Sequence, residues 1–398
     1  MRRLAKLVMS PRSARKDGRG SSSASQPPWP DVIKCTPDAI PAELAERLAT
    51  DLQRLRSHDE VLFGGRRDSV WTDIIDPELC LTEDERWQTC EVDVSREGCV
   101  HWLSWVNHLE ERVHASLLGG LAELLALAIP SLEGLRNKCE RLRDRQLQFV
   151  VGAFEHALAP LASEPSASQT PSETPIMHNI SDWHVDGEEE ERIIATAICY
   201  LDIQCHEGGE LEFQHRNELW VDDPAGGTHR AKPASRMLVA FDNEALRHRV
   251  LTVRGGGRRL LVVFHLVDPH APTTPHASGL PRQLRSQRVS ESAHALSGAL
   301  LGRSDLQRAG IVLPPELIER ICELAADLDG ALSLDEVLRR RDARRRARLA
   351  PGRDGDNRGT GHIQWGTGVS QPSDDETSND EPEDVLTGLG PASAAWLS

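Results

Sequence analysis

Residues 237–267 read MLVAFDNEALRHRVLTVRGGGRRLLVVFHLV, in which short apolar stretches alternate with residues that form turns. Met237–Phe241 and Arg259–Val267 are rich in the β-branched and aromatic residues typical of buried strands. Arg254–Gly257 is a turn sequence, and Arg247–Val253 is the predicted strand before it. The segment therefore predicts consecutive short strands, as in a β-sandwich or a β-barrel.

The strand pattern continues upstream of this segment as far as Trp183. Ile193–Leu201 is mostly apolar and predicts a buried strand, whereas Gly209–Phe213 alternates between apolar and polar residues. Further towards the N-terminus, Leu147–Val151 predicts one more strand. Between these strands, residues 161–175 are rich in Ser, Pro and Thr and predict a loop insertion.

Helices are predicted on both sides of the strand-rich region, from apolar residues at helical spacing. The predicted helices are Ala42–Leu55, Trp105–Leu127, Ser131–Arg145, Leu313–Leu328 and Leu334–Leu349. We expect the first three to support the sheet. The last of the five is opened by Ser333 and Glu336, which form the signature of a capping box.

The two ends of the chain have compositions typical of disordered segments. Residues 1–30 contain seven Arg or Lys and are rich in Ser and Pro, and residues 351–398 are dominated by Gly, Asp, Glu, Ser and Pro. We expect a disordered basic tail at the N-terminus, with a transit peptide to an organelle as the alternative. At the C-terminus we expect a disordered acidic tail.

Composition limits the classes of function. The chain has 398 residues and a formal net charge of -16, which argues against a general binder of nucleic acid or of anionic membranes. Its eight cysteines include no CxxC pair, so we expect reduced thiols in an intracellular, cytoplasmic protein. We also expect no membrane span, because the longest apolar stretch, Leu117–Ile129, is short and interrupted by Gly and Glu.

Three residues form a candidate metal site. His184 and Asp186 are two positions apart, so on a strand their side chains point to the same face. A distant histidine, His248, would complete a set of two histidines and one carboxylate, which binds Fe(II) and leaves coordination positions open. The His-x-Asp triplet alone is weak evidence, because about one is expected by chance in a chain of this composition.

Several motifs follow one another in a defined order around these residues. They are Trp183-His184-Val185-Asp186, Tyr200-Leu201-Asp202, Gly208-Gly209-Glu210-Leu211, Arg236–Asn243, His248-Arg249-Val250 and Gly257-Arg258-Arg259-Leu260. This order resembles the Fe(II)/2-oxoglutarate-dependent dioxygenases, in particular the prolyl 4-hydroxylase-like branch, over residues 149–269. The chain departs from the family pattern in having Asp202 where Asn is usual, and in a run of glutamates after Asp186.

The resemblance implies an α+β fold with a double-stranded β-helix, or jelly roll, at its core. The dioxygenase domain would comprise residues 31–270, with support helices within residues 42–145 and the catalytic jelly roll at residues 147–269. Residues 271–350 would then form a helical extension of this domain.

The resemblance also implies roles for site residues. The metal ligands would be His184, Asp186 and His248. Arg259 would bind the distal carboxylate of 2-oxoglutarate, because the family places its basic residue immediately before the apolar strand, and Arg258 is the alternative. The hydroxyl of Tyr200, which is the only tyrosine in the chain, would hydrogen-bond a carboxylate of the same cosubstrate.

The reaction implied by the resemblance is hydroxylation of a C–H bond. Fe(II), 2-oxoglutarate and O2 would take part, succinate and CO2 would be released, and ascorbate would serve as a reductant. The substrate would be a prolyl or other protein side chain, or a small molecule. The carboxylate of Asp186 favours hydroxylation, because halogenating relatives need a small residue at that position.

Two other functions stay open on the sequence alone. The first is nucleic-acid demethylation, although relatives with that activity carry a second arginine six residues after the first, where this chain has His265. The second is a non-catalytic adaptor, because residues 313–321 loosely resemble the opening of an F-box.

Three features near the candidate site have more than one interpretation. Glu188–Glu191 is either a solvated turn or a surface that attracts a cationic substrate. His265 either lines the pocket or is a core histidine. Arg258, if it does not bind the cosubstrate, is expected to be a solvated arginine of the hairpin.

Overall fold

The computed structural model describes residues 29–62, 71–79, 81–82, 86–135, 141–158, 183–204, 207–216, 227–251, 253–254, 257–272, 284–301, 313–328 and 331–349. The predicted tails at residues 1–30 and 351–398 lie outside these ranges, apart from Trp29 and Pro30. The predicted loop insertion at residues 161–175 also lies outside them.

Helices occur near both ends of the described part of the chain. They are α1 (Trp29–Val32), α2 (Ala42–Leu62), α3 (Ala115–Glu133), α4 (Arg285–Leu301), α5 (Pro315–Leu328) and α6 (Leu334–Leu349). Short 3₁₀ helices lie at Pro77–Leu79 and Glu189–Glu191.

The strands pair in antiparallel fashion. They are β1 (Ile33–Thr36), β2 (Trp71–Ile75), β3 (Cys90–Val94), β4 (Val100–Trp102), β5 (Arg145–Leu158), β6 (Ile193–Gln204), β7 (Glu207–Gly208), β8 (Leu211–His215), β9 (His229–Ala231), β10 (Met237–Asp242), β11 (Leu246–Val250), β12 (Val253–Arg254) and β13 (Gly257–Val267). The larger sheet has the order β1-β10-β6-β13-β5-β3-β4, with β2 also paired to β5. A smaller sheet has the order β11-β8-β9, and β12 pairs with β7.

Buried apolar side chains fill the space between the larger sheet and the β11-β8-β9 sheet. Phe213 and Leu246 of the smaller sheet belong to one cluster with Tyr200, Phe241 and Leu261 of the larger sheet. The opposite face of the larger sheet packs against α2 and α3 in a second cluster. Two facing antiparallel sheets with helices on one outer face are the predicted α+β jelly roll, which is therefore confirmed.

Strand β13 shows how the larger sheet separates two environments. Leu260 belongs to the cluster on the helical side, whereas Leu261 belongs to the cluster between the sheets. Because side chains alternate along a strand, Arg259 and His265 share the inner face with Leu261. Arg258 shares the helical face with Leu260.

The prediction of a helix at Ser131–Arg145 is wrong. Helix α3 continues to Glu133 and is capped by Gly134, whose N–H donates to the carbonyl oxygen of Pro130 at 3.1 Å. Arg145 already belongs to β5, whose Leu147, Phe149, Val151 and Ala153 belong to the core cluster on the helical side of the larger sheet. The helix predicted at Trp105–Leu127 is α3, but it begins only at Ala115 because residues 105–114 form turns instead.

Helix α3 also bears on the question of a membrane span. It is 19 residues long and, by length and composition alone, apolar enough to cross a membrane, whereas the sequence analysis judged only its inner stretch, Leu117–Ile129, and found it too short. Its buried residues include Leu121, Leu124, Leu125 and Ile129, which belong to the core cluster behind the larger sheet. One such helix is weak evidence for a span, because core helices meet the same criteria.

The C-terminal helices predicted from the sequence are present as α5 and α6. Ser333 caps α6, since its Oγ accepts the N–H of Glu336 at 3.2 Å. Helix α4 was not predicted, because its apolar residues are interrupted by Ser, His and Gly. Between residues 285 and 349 the structure thus describes α4, α5 and α6, together with short non-helical segments at residues 313–314 and 331–333.

Helix α6 is attached to the N-terminal part of the fold by Arg345. The guanidinium of Arg345 donates to Asp73 at 2.7 Å, to Asp76 at 2.9 Å and to Glu78 at 2.6 Å. A single guanidinium therefore joins α6 to β2 and to the 3₁₀ helix that follows it. The contact places the neighbouring Arg344 close to the candidate metal site.

Candidate metal centre

The two candidate histidine ligands are brought together by backbone pairing. The N–H of His184 donates to the carbonyl oxygen of His248 at 2.9 Å, and the N–H of His248 donates back at 2.8 Å. This isolated antiparallel bridge lies at the edge of the smaller sheet, because His248 belongs to the edge strand β11. Paired residues present their side chains on the same face, and the two imidazole rings are 4.2 Å apart between centroids.

Asp186 completes the cluster. Its Oδ1 lies 3.8 Å from Nε2 of His248. The candidate ligand atoms of His184, Asp186 and His248 all lie within 4.8 Å of one another, and the three side chains are buried. Two imidazole nitrogens and one carboxylate oxygen around a common point are the donor set that suits Fe(II).

The protonation states of this cluster also suit a metal ion. Burial, helped by the neighbouring His184, lowers the pKa of His248 to about 3, so its imidazole is neutral near pH 7. Burial alone would raise the pKa of Asp186, but the surrounding imidazoles, His248 first, hold it below its usual value. A neutral imidazole and an ionised carboxylate are the forms that bind metals, so His248 and Asp186 fit the implied Fe(II).

The carboxylate of Asp186 has further partners on its second oxygen. Oδ2 accepts a hydrogen bond from Oγ1 of Thr196 at 2.6 Å and lies 3.6 Å from Nδ1 of His265. Thr196 and His265 are register partners on β6 and β13, and their side chains are 3.1 Å apart. His265 therefore lies beside the site, and Thr196 is a functional candidate that the sequence did not single out.

Asn243 holds the backbone of Asp186. The N–H of Asp186 donates to Oδ1 of Asn243 at 2.9 Å, and Nδ2 of Asn243 donates to the carbonyl oxygens of Asp186 and Ile193, both at 2.9 Å. Asn243 directly follows β10. It is the last residue of the Arg236–Asn243 motif, but the sequence alone indicated no role for it. Its position after an apolar strand was the available signal.

Arg259 lies in the interior between the sheets. It is 2% exposed, and its Nη2 donates to the carbonyl oxygen of Gly209 at 3.0 Å. A Cβ at Gly209 would meet that same nitrogen at 2.1 Å, and Gly209 has a φ of +66°, so only glycine fits here. The glycine pair that precedes β8 thus allows the arginine to enter the pocket.

The charge of Arg259 is not balanced within the described part of the chain. No described carboxylate forms an ion pair with it, and its buried Nε has no hydrogen-bond partner there. Burial lowers the pKa of Arg259 from its usual value, which reflects the cost of an enclosed cation. A buried guanidinium with unused donors fits an anionic ligand such as the distal carboxylate of 2-oxoglutarate.

Tyr200 lies beside this cation. The guanidinium carbon of Arg259 is 5.8 Å from the centroid of the Tyr200 ring. Burial raises the pKa of Tyr200 to about 12 although Arg259 acts in the opposite direction, so the phenol stays protonated near pH 7. A protonated hydroxyl next to a buried cation is suited to binding an anion.

Arg258 lies on the other face of β13 and takes no part in this pocket. Its Nε lies 3.0 Å from Oε1 of Glu155, a buried carboxylate that also pairs with Arg56 of α2. The expectation of a solvated hairpin arginine is therefore wrong, because alternation along β13 directs Arg258 into the layer between sheet and helices.

The glutamate run after Asp186 is only partly solvated. Glu189 and Glu190 are exposed, as a solvated turn requires, but Glu191 is 2% exposed and pairs with Arg344 of α6 at 2.7 Å. The sequence could not reveal this pair, because its members are 153 positions apart.

Comparison with known proteins agrees with this geometry. Residues 177–266 match the family model described as the 2OG-Fe(II) oxygenase superfamily, and that segment contains His184, Asp186, His248, Tyr200 and Arg259. No curated protein matches the chain.

Solved structures with a similar course of the chain include several hydroxylases. A prolyl-4-hydroxylase from Pseudomonas putida is 18% identical and covers 60% of this chain and 93% of its own, with a TM-score of 0.31. A prolyl hydroxylase from Trichoplax adhaerens, solved with a hypoxia inducible factor peptide, is 10% identical and covers 59% and 84%, with a TM-score of 0.32. AviO1 from Streptomyces viridochromogenes is 17% identical and covers 62% and 93%, with a TM-score of 0.34. All three TM-scores are below 0.5.

Proposed function

We propose that this chain is a 2-oxoglutarate-dependent hydroxylase, because residues 177–266 match the model of the 2OG-Fe(II) oxygenase superfamily. The favoured substrate is a prolyl or other protein side chain, as the motif order of the sequence suggests. His184, Asp186 and His248 would hold the Fe(II). When bound, Fe(II) with 2-oxoglutarate and O2 supplies the oxidising chemistry for hydroxylation of a C–H bond, with succinate and CO2 as products.

The observation that carries the proposal is the unbalanced cation of Arg259, which lies on the same face of β13 as His265, a neighbour of Asp186. Arg259 is buried, carries unused donors and has no carboxylate partner among the described residues. Leaving a cation so enclosed is costly, and a dicarboxylic cosubstrate would remove that cost when it binds. Tyr200 adds a neutral hydroxyl beside the same cation.

The chain itself performs positioning and exclusion of water. Arg259 would orient the distal carboxylate, and Thr196 keeps one oxygen of Asp186 engaged while the other faces His248. The rings of Phe241 and Phe213 pack at 4.7 Å and 6.1 Å from the His248 ring, which keeps that ligand in an apolar surrounding. Such a dry, preorganised site strengthens the interactions of charged groups within it.

The alternative of nucleic-acid demethylation finds no support in the site. The position six residues after Arg259 holds His265, which stacks on Trp87 and contacts Asp186 rather than offering a second guanidinium. The net charge of -16 also disfavours a polyanionic substrate. The alternative of a non-catalytic adaptor does not explain why His184, Asp186 and His248 converge in the interior.

The direct test is release of succinate from 2-oxoglutarate by Fe(II)-loaded protein. We expect slow release without substrate, and faster release when the right member of a panel of proline-containing peptides is added, with mass spectrometry showing a gain of one oxygen atom. Ascorbate is expected to sustain turnover as a reductant. Absence of succinate release under all of these conditions would contradict the proposal.

The metal ligands are tested separately by anaerobic Fe(II) binding. Replacing His248 by Ala removes one imidazole and is expected to abolish binding or weaken it by at least about a hundredfold. His101→Ala, at an exposed histidine on β4, is the matched control and should bind as the wild type does. Equal affinity in His248→Ala and wild type would show that the triad is not the metal site.

A further inference from the structure

Arg344 of α6 reaches the turn that directly follows the candidate metal ligand Asp186. It is 6% exposed, and its Nη2 lies 2.7 Å from Oε1 of Glu191 and 3.6 Å from Oε1 of Glu188. The Arg344–Glu191 pair is buried on both sides. A C-terminal helix far away in sequence therefore contributes a charge to the immediate surroundings of the metal cluster.

The carboxylate of Glu191 organises the turn between Asp186 and β6. Its Oε2 accepts the N–H of Glu188 at 2.8 Å, and its Oε1 accepts the N–H of Trp87 at 2.8 Å in addition to Arg344. The turn starts at Gly187, which has a φ of +72° and where a Cβ would meet Oε2 of Glu191 at 2.9 Å. The carboxylate of Glu191 thus packs against Gly187, the residue that follows Asp186.

A second route connects Glu191 to Asp186 through side chains. The backbone N–H of Trp87 donates to Glu191, and the ring of Trp87 stacks on His265 with centroids 5.5 Å apart and an interplanar angle of 28°. Nδ1 of His265 lies 3.6 Å from Oδ2 of Asp186. Glu191 is therefore coupled to Asp186 by the backbone turn and by the Trp87–His265 stack.

Arg344 is the cation that pairs with the buried side chain of Glu191. A buried carboxylate that loses its cation is costly to keep in place, so the loss of Arg344 favours its displacement towards water. Such a displacement weakens its hold on the backbone N–H groups of Glu188 and Trp87, which fix the turn. Helix α6 itself has a separate anchor, because Arg345 binds Asp73, Asp76 and Glu78. A change at Arg344 thus acts on the turn without removing the attachment of the helix.

We propose that Arg344 is a positioning residue for the metal centre, which acts through Glu191 on the placement of the Asp186 carboxylate. The inference rests on the proposed function, since it assigns to Asp186 the role of a metal ligand. Partners outside the ligand sphere commonly change metal affinity by about tenfold to a hundredfold when they are removed. The C-terminal helix is in this sense part of the active site rather than an appendage.

The test compares Arg344→Gln with Arg339→Gln, a matched change at an arginine of the same helix whose side chain is 73% exposed. Anaerobic Fe(II) binding is measured together with the visible spectrum of the Co(II)-substituted protein, which reports coordination independently of turnover. We expect Arg344→Gln to lose about tenfold in Fe(II) affinity and to change the Co(II) spectrum. Arg339→Gln should match the wild type in both.

Rescue distinguishes positioning from general damage to the fold. Arg344→Lys keeps the charge and should retain most of the affinity, while Glu191→Gln should reproduce the defect of Arg344→Gln, and the two changes should not add in the double variant. If Arg344→Gln does not fold, Glu191→Gln and Arg344→Lys are compared in its place. Arg344→Gln and Glu191→Gln each remove the Arg344–Glu191 pair. The inference is overturned if the one that folds has the same Fe(II) affinity and the same Co(II) spectrum as the wild type.

The outcome for the wild type separates this inference from the proposed function. A wild-type protein that binds no Fe(II) would contradict the proposed function and the inference together. A wild-type protein that binds Fe(II) and releases succinate, but whose affinity is insensitive to Arg344 and Glu191, would contradict the inference alone.

Discussion

Asp186 is held at both its backbone and its side chain. Asn243 bonds the N–H and the carbonyl oxygen of Asp186, and Thr196 occupies Oδ2. Only Oδ1 is then directed towards His248. The carboxylate is thereby prepared to offer one oxygen to a metal, which is the arrangement that leaves most coordination positions open for other ligands.

Removing the hydroxyl of Thr196 should weaken the metal site. Thr196→Val keeps the shape of the side chain but leaves Oδ2 of Asp186 without its 2.6 Å donor, so we expect Fe(II) affinity to fall by about tenfold to a hundredfold. Anaerobic Fe(II) binding measures the change. Thr196→Ser, which retains the hydroxyl, is the control, and equal affinity of the Val and Ser variants would refute the role.

The pocket cation is tested by cosubstrate binding. Arg259→Ala removes a buried charge that would pair with the distal carboxylate, so 2-oxoglutarate affinity should fall by about tenfold to a hundredfold. Tyr200→Phe should have a smaller effect, because it removes one neutral donor. Calorimetry of 2-oxoglutarate binding to the anaerobic Fe(II) protein decides the order, and a larger effect at Tyr200 would contradict it.

At the scale of the secondary-structure element, the two faces of β13 assign different tasks to neighbouring arginines. Arg258 pairs with the buried Glu155 on the helical side, and Arg259 enters the pocket. Arg258→Ala should therefore lower the free energy of unfolding by about 1–3 kcal/mol, because it deprives a buried carboxylate of one of its cations. Cosubstrate affinity should stay unchanged. Urea unfolding measures the change in stability, and calorimetry measures 2-oxoglutarate binding. A loss of 2-oxoglutarate binding in Arg258→Ala would contradict the assignment of the two arginines to opposite faces of β13.

The attachment of α6 should make stability depend on pH. Burial, followed by the nearby Asp76, raises the pKa of Asp73 to about 6 despite the presence of Arg345. The folded protein therefore keeps a proton on Asp73 between about pH 4 and pH 6 that the unfolded chain has lost. The stability that this proton contributes disappears as pH rises through about 6.

Asp73→Asn isolates this contribution. The variant has no titrating group at position 73 but keeps an oxygen acceptor for Arg345. We expect the free energy of unfolding of wild type, measured relative to Asp73→Asn, to decrease between pH 5 and pH 7. Urea unfolding at several pH values gives the difference, and a difference that is constant over this range would contradict the raised pKa.

Sequence patterns were informative where the relevant spacing is short. Alternation along a strand predicted opposite faces for Arg258 and Arg259, whereas the preference for Arg259 came from the family resemblance. The i, i+2 spacing predicted that His184 and Asp186 lie together, and they do, although Asp186 lies in a bend rather than in a strand. The same reasoning failed for Ser131–Arg145, where Gly134 ends a helix whose apolar spacing seemed to continue. Contacts such as Arg344–Glu191 could not be predicted, because a buried ion pair between residues 153 positions apart leaves no periodic signal.

At the scale of the whole molecule, the described fold indicates where the chain can be shortened. The ring of Trp29 lies 4.4 Å from that of His215 on β8, so the N-terminal boundary belongs before residue 29 rather than after residue 30. Residues 29–350 include α6 and its arginines. We expect this fragment to fold, bind Fe(II) and turn over 2-oxoglutarate as the full chain does.

A shorter fragment provides the contrast. Residues 29–330 lack α6, which would leave Glu191, Asp73, Asp76 and Glu78 without their arginine partners. We expect this fragment to have a lower melting temperature and weaker Fe(II) affinity than residues 29–350. Equal behaviour of the two fragments would show that α6 is dispensable for the oxygenase part.

The single tyrosine of the chain has a practical consequence. Tyr200 is buried beside Arg259 in the cluster between the two sheets, and the sequence holds no second tyrosine to obscure it. Protein grown with fluorotyrosine would therefore give one fluorine resonance, located where the cosubstrate is expected to dock. Its chemical shift would follow ligand exchange in real time, with the native sequence intact and without any assay of turnover.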